Sequence, residues 1–212
     1  FYQIVTRFRS TIAHMFFAHS HEDTFSVYYH NTNGNASSVS QHTQDAVGIA
    51  LHSPAITPLT NMNPGIRVLH VDPVTFEIMD YDQYYASIPT FDDLVESKAN
   101  HGPVWRKLYS AREAYGDFHA SSQRNTYKAG VELDHARWPW NAPLNGTFWA
   151  AVTDEMEQRP ELVQTWAEYT SSMSPRAKQC TSKKCQEAVI CYMRSGSTNL
   201  GLKCNGDYSS FQ

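Results

Sequence analysis

Cysteine is absent from the first 179 residues of this 212-residue sequence, an initiator methionine is absent altogether, and no long apolar run interrupts it. No stretch approaches the ~20 apolar residues that a membrane-spanning helix needs, the longest being segments such as Val47 to Leu51. No charged, apolar, small-residue signal pattern precedes Tyr2, so the abrupt start at Phe1 reads as a processed chain or a piece of something longer. Excess positive charge is also missing: 17 Lys and Arg face 21 Asp and Glu, with a net charge of -4 and a pI near 6.2. That balance argues against nucleic acid as the main partner, since phosphate binding usually shows as a basic domain. What is present is globular in composition, 41 % apolar, 13 % aromatic and 18 % charged, enough for one or two domains with a sizeable core.

Up to about Pro89 the chain is rich in β-branched and aromatic residues broken by turn formers, and it reads as strands. Ile12 to Ala18, Thr24 to Tyr29, Ala46 to Leu51, Ile66 to Val71 and Thr75 to Met79 are the expected strands. Asn31 to Gln44 is a polar loop, and Asn63-Pro64-Gly65 is a turn. Beyond Pro89 the period becomes helical. Pro103 is expected to open a helix bearing Val104, Trp105, Leu108, Tyr109 and Tyr115, closed by Gly116. Phe148, Trp149, Val152 and Met156 line a second helix. Pro160 ends it or begins the next, in which Leu162, Val163, Trp166, Tyr169 and Met173 recur. Trp138-Pro139-Trp140 suggests a packed loop.

The four cysteines, Cys180, Cys185, Cys191 and Cys204, follow the spacing C-x4-C-x5-C-x12-C. No C-x2-C knuckle is present, so a disulfide-stapled tail is favoured over a zinc knuckle. Three pairings are open, and sequence order favours the two local ones. The sequons Asn35-Ala36-Ser37 and Asn145-Gly146-Thr147 point to the same oxidising, secreted or lysosome/vacuole-like compartment. Arg176, Lys178, Lys183 and Lys184 beside the cysteines read as a solvated face or a contact for anionic lipid headgroups.

Most of the ten histidines stand alone. His19 and His21 differ, because they sit two apart directly after a strand, where curling at the strand end lets two imidazoles reach two neighbouring ions. Two-metal phosphoryl-transfer sites place ions roughly 3.5–4 Å apart.

The run Phe16-Phe17-Ala18-His19-Ser20-His21-Glu22-Asp23-Thr24-Phe25 resembles F-[FY]-G-H-T-H-x-D-x-F, the last metal-binding motif of the acid sphingomyelinase-like branch of the calcineurin-type metallophosphoesterases. The likeness continues in order through Ser53-Pro54-Ala55-Ile56-Thr57, Asn63-Pro64-Gly65-Ile66-Arg67-Val68, Asp80-Tyr81-Asp82-Gln83-Tyr84-Tyr85, Trp105, Leu108 to Gly116 and the four-cysteine tail. For the tail the resemblance implies the same local disulfides.

The resemblance implies an α+β fold. Residues 1–90 would be the C-terminal part of a metallophosphoesterase β-sandwich with four α/β/β/α layers, and residues 91–212 a helical subdomain with two disulfides. It also implies that His19 holds one zinc and His21 the other. Asp23 becomes a candidate acceptor that orients an imidazole, or a loop-capping Asp, and Asn63 and Arg67 candidates near the substrate path, with a plain turn and a salt-bridged Arg as the simpler roles. Ala18 stands where the family has Gly, which bears on the loop's conformation.

The family's other ligand motifs precede H-x-H, and only eighteen residues do so here. The echoes Asn100-His101 and Asp117-Phe118-His119 come in the wrong order. The expectation is therefore the C-terminal portion of a two-zinc phosphodiesterase, inactive alone, whose complete form cleaves sphingomyelin to ceramide and phosphocholine. A related enzyme of nucleotide-type phosphoesters, or a secreted lipid- or protein-binding module, is the alternative. No nucleic-acid partner is expected, and a peripheral membrane contact is.

Overall fold

A computed structural model describes residues 1–30, 39–58, 61–88, 103–119, 135–176 and 179–204. Asn35, Lys178 and the Asn100-His101 pair lie outside them. Among the described residues the fold is mixed α+β, with three small sheets and six α-helices.

The first sheet holds β1 (Met15–Phe17), β2 (Thr24–Tyr29) and β3 (Ala46–His52) in the order β1-β3-β2. β3 is parallel to β1 and antiparallel to β2. The second is an antiparallel meander of β4 (Gly65–Val71), β5 (Ile78–Tyr85) and β6 (Arg106–Ser110). β7 (Asp117–His119) and β8 (His135–Arg137) form a two-stranded ribbon. The helices are α1 (Tyr2–Arg7), α2 (Ala111–Tyr115), α3 (Gly146–Gln158), α4 (Pro160–Thr170), α5 (Lys183–Met193) and α6 (Thr198–Gly201).

α3 begins where Asn145 Oδ1 accepts the amide of Phe148 at 3.1 Å, an N-cap that satisfies an otherwise unpaired donor. Its face of Phe148, Trp149, Val152 and Met156 is fully buried, as the periodicity predicts. Pro160 opens α4 at its first turn, where a missing N–H is harmless. Phe25 of β2 packs on Trp149 with ring centroids 4.5 Å apart, and Tyr81 of β5 stacks on the same indole. One hydrophobic cluster therefore joins strands before position 90 to helices after it.

Three expectations are corrected. β1 is shorter than the Ile12 to Ala18 run and largely exposed: Phe16 is 52 % exposed, and no β1 residue enters the main core that buries β2. Thr75 and Phe76 form a turn rather than a strand. Asp72 Oδ1 accepts the amides of Val74 and Thr75, Phe76 takes φ 60°, and β5 starts only at Ile78. The segment after Pro103 is not a helix throughout. Arg106–Ser110 pairs with β5, as Gln83 opposite Tyr109 and Asp82 opposite Ser110 show, and only Ala111–Tyr115 is helical before Gly116. Non-local pairing overrides the local period there. In the Trp138-Pro139-Trp140 loop, Trp138 packs against Phe148 at 5.3 Å, whereas Trp140 is 84 % exposed.

The disulfides join Cys180 to Cys185 and Cys191 to Cys204. Of the three pairings open to four cysteines, these are the local ones.

Candidate functional site

β1 and β2 flank β3 on opposite sides, and both Phe17 and Thr24 stand in register with His52. Residues 18–23 must therefore arch over the end of β3, placing His19 and His21 at the carboxyl ends of the parallel β1 and β3. His19 is exposed and His21 half-buried. Both have left-handed backbones, φ 99° and 61°. Such conformations cost about 1–3 kcal/mol each in non-glycine residues and persist only where surrounding contacts enforce them. Ala18 is not among the positive-φ residues, so alanine meets no backbone obstacle where the resembling family has glycine.

Asp23 closes the loop. It is 4 % exposed, and its carboxylate pairs with Arg67 of β4 through one oxygen. The other oxygen accepts the hydroxyl of Tyr109 of β6 at 2.5 Å. Burial pushes the Asp23 carboxyl up, against the charge of Arg67 and the Tyr109 hydrogen bond. Burial works against the Arg67 charge too, but Asp23 outweighs it and the guanidinium stays protonated. Arg67 also lies over the Tyr81 ring, 4.2 Å from its centroid, and its buried Nη1 has no hydrogen-bond partner among the described residues. Asp23 thus orients no imidazole through these bonds; it ties the loop to the second sheet.

The end of α4 completes the brace. The amide of Asp23 donates to the Thr170 carbonyl at 3.2 Å, and the Thr170 hydroxyl donates to the Asp23 carbonyl at 3.0 Å. Asn63 is held at the same place: its amide donates to the Ser171 carbonyl, its Nδ2 to the Ser172 carbonyl at 2.9 Å, and its Oδ1 accepts the Ile88 amide. Gly65 fits because a Cβ there would stand 2.8 Å from Pro54 and 2.9 Å from the Ser172 hydroxyl. Asp23, Asn63 and Arg67, named separately from the sequence, converge on one buried junction.

His52, Tyr109 and Thr170 were not singled out. His52 lies directly under the loop, its ring 5.7 Å from that of Phe17, and burial and the Arg67 charge hold its basicity down. Its signal was only its place at the end of an apolar strand. Tyr109 was hidden by the helical reading of its segment. Asp117 of the downstream echo pairs with Arg137 at 2.8 Å on the two-stranded ribbon. Among the described residues no group of three or more His, Cys, Asp and Glu side chains is gathered to hold a metal. His19 and His21 supply nitrogen donors of the type zinc takes, as part of a ligand set rather than a complete one.

The loop thus carries its two histidines at the carboxyl ends of parallel strands and is braced by a buried ion pair. By sequence its curated homologues are sphingomyelin phosphodiesterases of the acid sphingomyelinase family, and the chain matches a C-terminal portion of them. It is 31 % identical over 205 residues to sphingomyelin phosphodiesterase 1 of Caenorhabditis elegans, covering 96 % of this chain and 29 % of that protein. Sphingomyelin phosphodiesterase B of Dictyostelium discoideum is 27 % identical over 203 residues, covering 95 % of this chain and 27 % of its own length. Human sphingomyelin phosphodiesterase is 30 % identical over 123 residues, 55 % of this chain and 17 % of that protein. The chain thus spans less than a third of these relatives. No family model matches it.

Proposed function

We propose that this chain contributes part of the active site of a zinc-dependent phosphodiesterase acting on sphingomyelin, with His19 holding one zinc and His21 the other. The observation that carries this reading is the match of 96 % of this chain to a sphingomyelin phosphodiesterase, with H-x-H on a braced loop. When bound, the two ions would supply a water of lowered pKa and neutralise charge developing at phosphorus. The chain's own residues present the two imidazoles at the strand ends and keep them there. Asn63 and Arg67, both buried, act by bracing the loop rather than by touching substrate.

The same reading places the chain in a metallophosphoesterase sandwich, with the remaining metal ligands on segments N-terminal to H-x-H. The two disulfides and the sequons support a secreted or lysosome/vacuole-like compartment. Glycosylation at Asn145 is compatible with its capping role, because a glycan attached through Nδ2 leaves Oδ1 on the Phe148 amide.

The test is zinc content and hydrolysis of sphingomyelin vesicles by the enzyme containing this chain, with a nucleotide-type phosphoester in parallel. His19→Ala and His21→Ala are expected to remove zinc and sphingomyelin hydrolysis together. Full zinc content with retained activity refutes the ligand assignment, and turnover of the nucleotide-type ester alone refutes the substrate. The 212-residue chain alone is expected to show no zinc-dependent hydrolysis.

A further inference from the structure

Two residues after the second left-handed histidine comes a residue fixed from three distant elements. Asp23 meets Arg67 of β4, Tyr109 of β6 and Thr170 at the end of α4, through both carboxylate oxygens and both of its backbone polar groups. Each partner is itself immobilised. Arg67 is covered by the Tyr81 ring and donates to Gln83 Oε1 at 3.4 Å. Tyr109 stacks on Tyr169 of α4 with centroids 4.4 Å apart and planes 9° from parallel. Thr170 is wholly buried.

We propose that Tyr109 and Thr170, with Arg67, are positioning residues that act through Asp23 to hold the His19–His21 loop in its metal-accepting conformation. The proposal rests on the reading of those histidines as zinc-holding residues. A carboxylate engaged at both oxygens cannot rotate, and a peptide bonded at both its N–H and its carbonyl cannot shift along the chain. The end of the loop is therefore fixed in position and direction only two residues after His21. Partners that orient metal ligands from outside the coordination sphere typically change metal affinity 10- to 100-fold. The brace also makes the end of α4, in the disulfide-bearing part of the chain, a determinant of a loop near the other terminus.

A general core role and a positioning role differ in where the damage appears. Tyr109→Phe removes one hydroxyl and leaves the ring to stack, and Tyr84→Phe on the neighbouring strand is the control. Amide hydrogen exchange over residues 18–24 of the 212-residue chain is expected to speed up at least tenfold relative to α3 in Tyr109→Phe. In the enzyme that contains this chain, affinity for zinc ion, measured by competition with a chromophoric chelator, is expected to fall about tenfold or more. Tyr84→Phe should change neither.

Loop exchange that stays at the wild-type rate, or rises only in step with α3, overturns the proposal. So does unchanged zinc affinity in an enzyme whose His19→Ala and His21→Ala variants have lost it. If those two alanine variants bind zinc as the wild type does, the zinc reading fails and loop exchange alone decides on the brace. Should Tyr109→Phe fail to fold, Thr170→Val, which keeps the shape and loses the hydroxyl, is judged by the same two readouts.

Discussion

Buried polar residues govern this molecule at the scale of single side chains. Asp23 and Arg67 are almost fully enclosed, an arrangement that is tolerable only because each charge meets the other and further partners fill in around them. His14 shows the same logic with a titratable switch. Its Nε2 accepts the Ile78 amide at 3.1 Å, and burial pushes its pKa below the ordinary 6.5. The unfolded chain therefore binds more protons than the folded one over this window. Stability from His14 is full above about pH 6.5 and is lost as pH falls through the lower folded value. His14→Gln, which keeps an acceptor without titrating, is expected to flatten the fall in urea midpoint between about pH 7 and pH 5. The fall should not vanish, because His52 is shifted in the same direction. An unaltered slope would mean that His14 does not carry the effect.

At the scale of elements, close approach decides more than propensity. Gly146 begins α3 against β3, and a Cβ there would lie 2.9 Å from Gly48 N and 3.0 Å from Gly48 O. In an open helix Gly→Ala gains up to about 1 kcal/mol. Here the obstructing atoms are backbone and cannot swing aside, so overpacking of about 1–3 kcal/mol is expected to win. Gly146→Ala should lower the urea midpoint, and a raised midpoint would show that helix and strand can separate without loss. The helices α3 and α4 were legible because Asn145, Pro160 and the spacing of Phe148, Trp149, Val152, Met156 and Trp166 are local signals. β6 was not, because Val104, Trp105, Leu108 and Tyr109 fit a helical stripe as well as a strand, and only the partner β5 settles which face is covered. β1 is shorter than its apolar run, since hydrophobicity does not reveal which strand the main core covers.

Across the whole molecule, the strands before position 90 and the helices after it share one core, and the disulfides staple the far end of that unit. Cys191–Cys204 closes a longer loop than Cys180–Cys185, with sequence separations of 13 and 5. Loop-closure entropy then assigns about 3 kcal/mol to the first and about 2 kcal/mol to the second. Paired Cys→Ser variants are expected to lose stability in that order in chemical denaturation under non-reducing conditions. An inverted order would place the effect in native packing instead.

The H-x-H loop, the resemblance to acid sphingomyelinases, the cysteine-rich tail and the long helices are legible in the sequence, because each is written in residues close together along the chain. Only the tertiary structure decided which cysteines pair, that Arg106–Ser110 is a strand, and that Arg67, Tyr109 and Thr170 close on Asp23. Those three lie 44, 86 and 147 positions from Asp23. Contacts of that range arise from how sheets and helices stack around a shared core, and no local pattern encodes them.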